Sequence, residues 1–348
     1  MAEEEEAPNP PERKPKPKPP MSRVTRLALR AVDYVADATR RDDGTLNRRL
    51  LSLLDPRVPA FSTPCRGIAC RDLVLDPAHG LGARLFFHRP TLAAEALPVI
   101  VFFHGGGFAF LSACSLPYDA ACRRIARYAS ASVLSVDYRR APEHKFPAPY
   151  DDGFSALRFL DDPENHPSDV QLDVSRVFLA GDSAGGNIAH HVARRYAAAE
   201  SSTFSNVRIK GLIAIQPFFG GEERTGSELR LDGAPIVSVG RTDWMWRAFL
   251  PPGADRSHEA ACPDAAAVEE EEEFPPVLLV VGGYDPLQDW QRRYGEALRG
   301  KGKEVEVLEY PEGIHAFFLF PEFSHARDLM LRIAEFVAGS SSRGGGGE

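Results

Sequence analysis

The stretch S175-R-V-F-L-A-G-D-S-A-G-G-N-I-A-H-H-V-A193 decides how the rest of the chain is read. An apolar run, VFLA, ends at Gly181. The tetrad Asp182-Ser183-Ala184-Gly185 follows, and a helical pattern begins at once. Strand, sharp turn and helix in that order hold a serine at the apex of the turn, with its hydroxyl exposed. Gly181 and Gly185 stand where a side chain would obstruct the turn. The helix that follows points its N-terminus at the same spot, which favours negative charge developing there. G-x-S-x-G is weak by itself; the strand before it and the helix after it carry the reading.

Outward from this segment, strand-like and helix-like runs alternate. RDLVL (71–75), ARLFF (83–87), PVIVFF (98–103), ASVLSVDY (131–138), SRVFLAG (175–181), KGLIAIQ (210–216), PPVLLVVGG (275–283) and EVEVLEY (304–310) read as strands. Several are apolar throughout, as strands covered on both faces are. Helical patterns occupy 117–130, 151–161, 184–199, 287–300 and 325–338. Such alternation predicts an α/β fold with a mostly parallel central sheet flanked by helices. The first two runs have no helix between them, so an antiparallel start is expected. Ahead of the sheet, Val24, Leu27, Ala28, Ala31 and Val35 share one face of a helix, and a second short helix is expected over 45–54, ended by Pro56.

Three further strand ends carry chemistry. VIVFFHGGGFAF (99–110) leads an apolar strand into a glycine run. Glycines let backbone N–H groups approach a ligand closely, and acyl transfer needs such donors for the oxyanion of its tetrahedral intermediate. Gly106 and Gly107, with the N–H of Ala184, are assigned to that oxyanion hole. Phe110 stands where a dinucleotide fingerprint needs its third glycine, so that reading fails on spacing. His104 is expected to brace the loop. In VLLVVGGYDPLQDW (277–290), Asp285 lies just past a strand, where open α/β sheets place functional residues. The rival Asp289 belongs to the next helix, and Asp182 is badly placed to orient a histidine. In EYPEGIHAFF (309–318), His315 again follows a strand. The order Ser183, Asp285, His315 suits a nucleophile, an orienting acid and a general base. Phe108, Phe218, Phe219, Trp244 and Phe317 are candidates to line a substrate pocket, although core packing is at least as common a fate for each.

Composition excludes other classes. A net charge of −8 argues against a duplex nucleic-acid binder. Five cysteines, an odd number without CxxC, fit neither a disulfide framework nor a zinc site. HEAAC (258–262) lacks the second histidine of a zinc helix, and His190 and His191 point in different directions. No metal, cofactor, membrane span or protein partner is indicated. Residues 1–20 are rich in Glu, Pro and Lys and are expected to form a disordered tail, with 339–348 a second flexible one. A cytoplasmic protein is expected, with nuclear import left open by RKPKPK (13–18). The Glu269–Glu273 run reads as a solvated loop.

HGGGF (104–108), YRRAPEH (138–144) and GDSAGGN (181–187) together resemble the hormone-sensitive-lipase-like branch of the α/β hydrolases, and within it the plant carboxylesterases related to the gibberellin receptors. The resemblance runs from about Val24 to Val337. It implies an α/β hydrolase fold over 61–338 with an N-terminal helical lid over 21–60. It implies hydrolysis of short-acyl esters of small hydrophobic molecules by Ser183, His315 and Asp285. Receptor function, or dehydratase or amidase chemistry on the same fold, are the alternatives. In that family the gibberellin receptors keep the serine and replace the histidine, whereas this sequence reads GIHAF (313–317). Arg140 replaces the leucine usual in the family's YRLAPEH and reads as a local surface difference.

Overall fold

The fold is described from a computed structural model, which covers residues 19, 21–89, 96–200, 202–264, 268 and 273–342. The expected tail over 1–20 apart from residue 19, most of the Glu269–Glu273 run and the end of the C-terminal tail lie outside the described residues.

Eight strands form one sheet: β1 (Ile68–Asp76), β2 (Leu81–His88), β3 (Leu97–Phe103), β4 (Ser132–Asp137), β5 (Leu172–Asp182), β6 (Ile209–Ile215), β7 (Val277–Tyr284) and β8 (Val305–Ile314). Their order is β1-β2-β4-β3-β5-β6-β7-β8. β2 runs antiparallel to both β1 and β4, and every pairing from β4 onward is parallel. Each expected run is a strand, and the antiparallel start is present.

The helices are α1 (Arg23–Thr39), α2 (Arg48–Leu54), α3 (Leu116–Ala129), α4 (Ala148–Asp161), α5 (Ala184–Ala197), α6 (Gly226–Arg230), α7 (Val239–Phe249), α8 (Gln288–Gly300) and α9 (Ser324–Ser342). The apolar strands bury both faces. Along β3, Val99, Val101 and Phe103 join a core with Leu157 of α4, Ile188 and Val192 of α5, and Tyr294 and Leu298 of α8. Ile100 and Phe102 face the opposite core with Ile125 of α3 and Leu329 and Ile333 of α9. Alternation along one strand therefore feeds two layers of helices. α9 continues through Ser342, into the stretch read as a flexible tail.

The orientation of α1 departs from expectation. Val24 and Leu27 are 79% and 70% exposed, and Ala28 and Ala31 are exposed as well. The helix docks instead through Thr25 and Leu29, which are buried, and through Asp33 and Asp37, which both pair with Arg241 of α7. Of the expected apolar face only Val35 packs inward, against the cluster of Leu46, Leu51 and Trp244; periodicity misplaces the rest because ion pairs, not apolar contacts alone, hold the helix down.

Candidate active site

β5 ends at Asp182, and Ser183 begins the turn with φ 52° and ψ −121°, a strained conformation for a residue with a side chain. The turn closes because its glycines allow it. A Cβ on Gly185 would lie 1.9 Å from the Phe103 carbonyl oxygen, and one on Gly181 would lie 2.3 Å from that of Gly185. The parallel register Phe103↔Gly181 brings the end of β3 level with the turn. Helix α5 starts at Ala184, so its first N–H groups lack intrahelical acceptors and face the serine.

Beyond β3 the HGGG loop bends back through Gly106, at φ +108°, and Gly107, at φ +56°. A Cβ at Gly106 would meet the Phe110 carbonyl oxygen at 2.4 Å, and one at Gly107 would meet the Met245 sulfur at 2.2 Å. His104 is fully buried, stacks on Tyr138 at 4.2 Å between ring centroids and bonds the Gly105 carbonyl through Nδ1 at 2.8 Å. Burial pushes its pKa down to about 4, partly opposed by Asp137, so it is a neutral brace.

The third and fourth segments meet. His315 Nδ1 lies 2.7 Å from Asp285 Oδ2. Asp285 is fully buried and also accepts from Gln216 Nε2 at 2.9 Å, Gln291 Nε2 at 2.8 Å and the Leu287 N–H at 2.9 Å. Gln216 serves both partners. Its Oε1 accepts the Ala316 N–H at 2.9 Å and its Nε2 also reaches the Ile314 carbonyl, so one side chain fixes the carboxylate and the histidine loop together. Burial disfavours the imidazolium, but the charge and hydrogen bond of Asp285, with the charge of Asp182, raise the His315 pKa above the ordinary histidine value. Asp289 Oδ2 accepts the Ser227 N–H at 2.7 Å and so holds α6.

Ser183, His315, Gly106 and Gly107 line one cavity of about 220 Å³. Its wall is mostly apolar, with Leu111, Val237, Met245 and Leu319 prominent, and Val32 of α1 contributes from above. Of the five aromatic candidates, Phe218 lines it. Phe108 does not: it stacks on Phe249 with centroids 3.7 Å apart. Phe219 stacks on Tyr294, Trp244 donates its indole N–H to the Arg41 carbonyl, and Phe317 packs against Tyr310 and His325. Each of these four rings fills core rather than cavity. Arg140 is not a mere surface difference. It is half-buried and donates to the carbonyl of Leu111, a residue of the cavity wall.

The sequence reading missed Gln216, Gln291, Met245 and Arg241. Arg241 is 9% exposed and lines the cavity, yet both its neighbours are acids: Asp33 at 2.6 Å and Asp37 at 2.7 Å. A glutamine closing an apolar strand, as Gln216 does, was the one available signal. Among the described residues no group of His, Cys, Asp and Glu is arranged to hold a metal ion, and no helix is long and apolar enough to cross a membrane.

Comparison with known proteins agrees with this architecture. A family model described as the alpha/beta hydrolase fold matches residues 100–319. Gibberellin receptor GID1C of Arabidopsis thaliana is 44% identical over 86% of this chain and 89% of its own length. Carboxylesterase 20 of Arabidopsis thaliana is 34% identical over 85% of this chain and 93% of its own. The solved esterase of Pyrobaculum calidifontis superposes with a TM-score of 0.72 at 27% identity, over 92% of this chain and 99% of that one. The chain belongs to the α/β hydrolase family, in the hormone-sensitive-lipase-like branch that includes the plant carboxylesterases and the gibberellin receptors.

Proposed function

We propose that the chain is a serine carboxylesterase for short-acyl esters of small hydrophobic molecules. The observation that carries this reading is that His315, which shares a cavity with Ser183, bonds the buried Asp285 at 2.7 Å. With Nδ1–H directed to Asp285, Nε2 keeps its lone pair for a proton. Ser183 Oγ attacks the ester carbonyl and His315 takes its proton. The carbonyl oxygen, now an oxyanion, accepts from the N–H groups of Gly106, Gly107 and Ala184. Collapse expels the alcohol with the proton from His315, leaving an acyl-serine. Water then loses a proton to His315, attacks the acyl carbon and releases the acid, and the proton returns to Ser183.

The substrate class follows from the walls. A cavity of about 220 Å³ is small for a ligand site, which favours short acyl groups. The cation in its wall, Arg241, is already matched by Asp33 and Asp37, so an uncharged substrate suits it better than an acid. Residues 21–60 act as the lid: Val32 closes the cavity, and Arg48 of α2 donates to the carbonyls of Ala109 and Ala141. Covalent labelling tests the reading. A fluorophosphonate should add one adduct to the wild-type chain, mapped to Ser183 by peptide mass, and none to Ser183→Ala; labelling elsewhere would count against it.

One observation favours a second reading, a small-molecule receptor: the 44% identity to a gibberellin receptor exceeds the 34% to carboxylesterase 20. In that case ligand-dependent capture of a protein partner would survive Ser183→Ala, and ester turnover would be absent.

A further inference from the structure

Asp182 has no part in the reaction just described, yet it is 1% exposed and sits between the two halves of the site. Its Oδ1 accepts the Gly105 N–H at 2.9 Å and its Oδ2 accepts the Tyr118 hydroxyl at 2.9 Å. The Tyr118 oxygen also accepts from the Gly105 N–H, at 2.8 Å. The approach is closer than any side chain would allow: a Cβ on Gly105 would lie 2.5 Å from Oδ2 and 2.7 Å from the Tyr118 oxygen. Gly105 is the root of the Gly106–Gly107 loop, and Asp182 is covalently joined to Ser183. Asp182 and His315 line the same cavity, so Asp182 is a second carboxylate near the imidazole, beside Asp285.

We propose that Asp182 and Tyr118 are positioning residues of the acyl-transfer site. They fasten the Gly106–Gly107 amides to the turn that carries Ser183, and Asp182 supplies a second negative charge to the imidazolium of His315. The kinetic half of this proposal rests on the esterase reading; the electrostatic half does not.

The groups around Asp182 leave few charges to consider. Tyr118 and Cys122 of α3 and Tyr138 after β4 are all pushed up by burial, and His104 is pushed down, so these stay neutral near pH 7. Asp285 faces His315 directly. Burial pushes Asp182 up to about 7, against the lowering effects of Tyr118, His315 and the Gly105 N–H. A carboxylate favours the imidazolium, so neutralising Asp182 must move the His315 titration to lower pH.

The test combines histidine NMR with kinetics. In Asp182→Asn, the His315 midpoint should fall by roughly half a pH unit or more. In Tyr118→Phe it should move in the same direction, because the anion loses a hydrogen bond; this variant carries the test if Asp182→Asn does not fold. Tyr118→Phe should also lower kcat about tenfold, with KM within about threefold, because the oxyanion donors shift while the apolar wall of Leu111, Val237, Met245 and Leu319 stays in place. A purely structural bond would leave the His315 midpoint in place. An unmoved midpoint, or wild-type kcat in folded Tyr118→Phe, overturns the proposal. If the wild-type chain hydrolyses no ester, the esterase reading falls and the His315 titration alone still decides for or against Asp182.

Discussion

Gly106→Ala and Gly107→Ala should differ sharply, although the two glycines are neighbours. At Gly106 the added Cβ would lie 2.4 Å from the Phe110 carbonyl oxygen and 3.0 Å from its carbon, at φ +108°. Both obstacles are backbone, and the conformation is one that residues with side chains rarely adopt. Relief requires the loop to shift by roughly 1 Å, and a displacement of that size costs about a hundredfold in rate. Losing one oxyanion donor outright costs about 10²–10³ in kcat. Gly106→Ala should therefore lose about 10²–10³ in kcat with KM nearly unchanged. At Gly107 the obstacle is the Met245 side chain, with its sulfur 2.2 Å away, and φ +56° lies in the left-handed region that costs roughly 1–2 kcal/mol. Met245 is flexible, so Gly107→Ala with Met245→Ala should recover most of the activity that Gly107→Ala alone loses. The assay is steady-state hydrolysis of p-nitrophenyl butyrate, with thermal melts to confirm folding. A folded Gly106→Ala enzyme keeping more than about a tenth of wild-type kcat would refute the assignment of that amide.

Other outcomes follow from the same contacts. Arg241→Gln leaves Asp33 without its cation and Asp37 with Arg40 alone, so α1 should open more easily by about 1–2 kcal/mol, between exposed and buried pairs, read as faster hydrogen exchange over 23–39. The rate constant kcat/KM should rise with pH as His315 loses its proton, with the limb above pH 6.5 because its pKa is raised. In Asp285→Asn that limb should move to lower pH and kcat should fall by on the order of 10⁴, in a pH–rate profile. Met245→Ala removes a flexible wall of the cavity and should shift preference toward longer acyl chains across a p-nitrophenyl series.

The sheet was legible because its signal is local. Eight apolar runs, each bounded by turn residues, became eight strands, and the four functional segments all sit at strand ends where a parallel sheet gathers them. The His315–Asp285 contact was legible from chain order alone. What escaped depends on pairs far apart in sequence. Arg241 meets Asp33 and Asp37 across more than two hundred residues, and no periodicity in either segment announces it. The same pairs set the rotation of α1, which is why the face marked by Val24 and Leu27 turned outward. Helix α7 has no counterpart among the helical patterns read from the sequence, because Trp244, Trp246 and Phe249 obscure its apolar stripe. The pocket walls were misjudged for a related reason: the largest rings pack best where they are wholly enclosed, so Phe108, Phe219 and Phe317 went to the core while Met245, Leu111 and Leu319 lined the cavity.

The central claim is that Ser183 and His315 perform acyl transfer. Its most direct test is hydrolysis of a p-nitrophenyl ester series, acetate through octanoate, by the purified chain beside Ser183→Ala and His315→Ala. The account predicts turnover that is fastest for the short acyl chains and falls by about 10³-fold or more in both variants. Folded wild-type protein that hydrolyses none of these esters, or a Ser183→Ala variant as active as wild type, would contradict it.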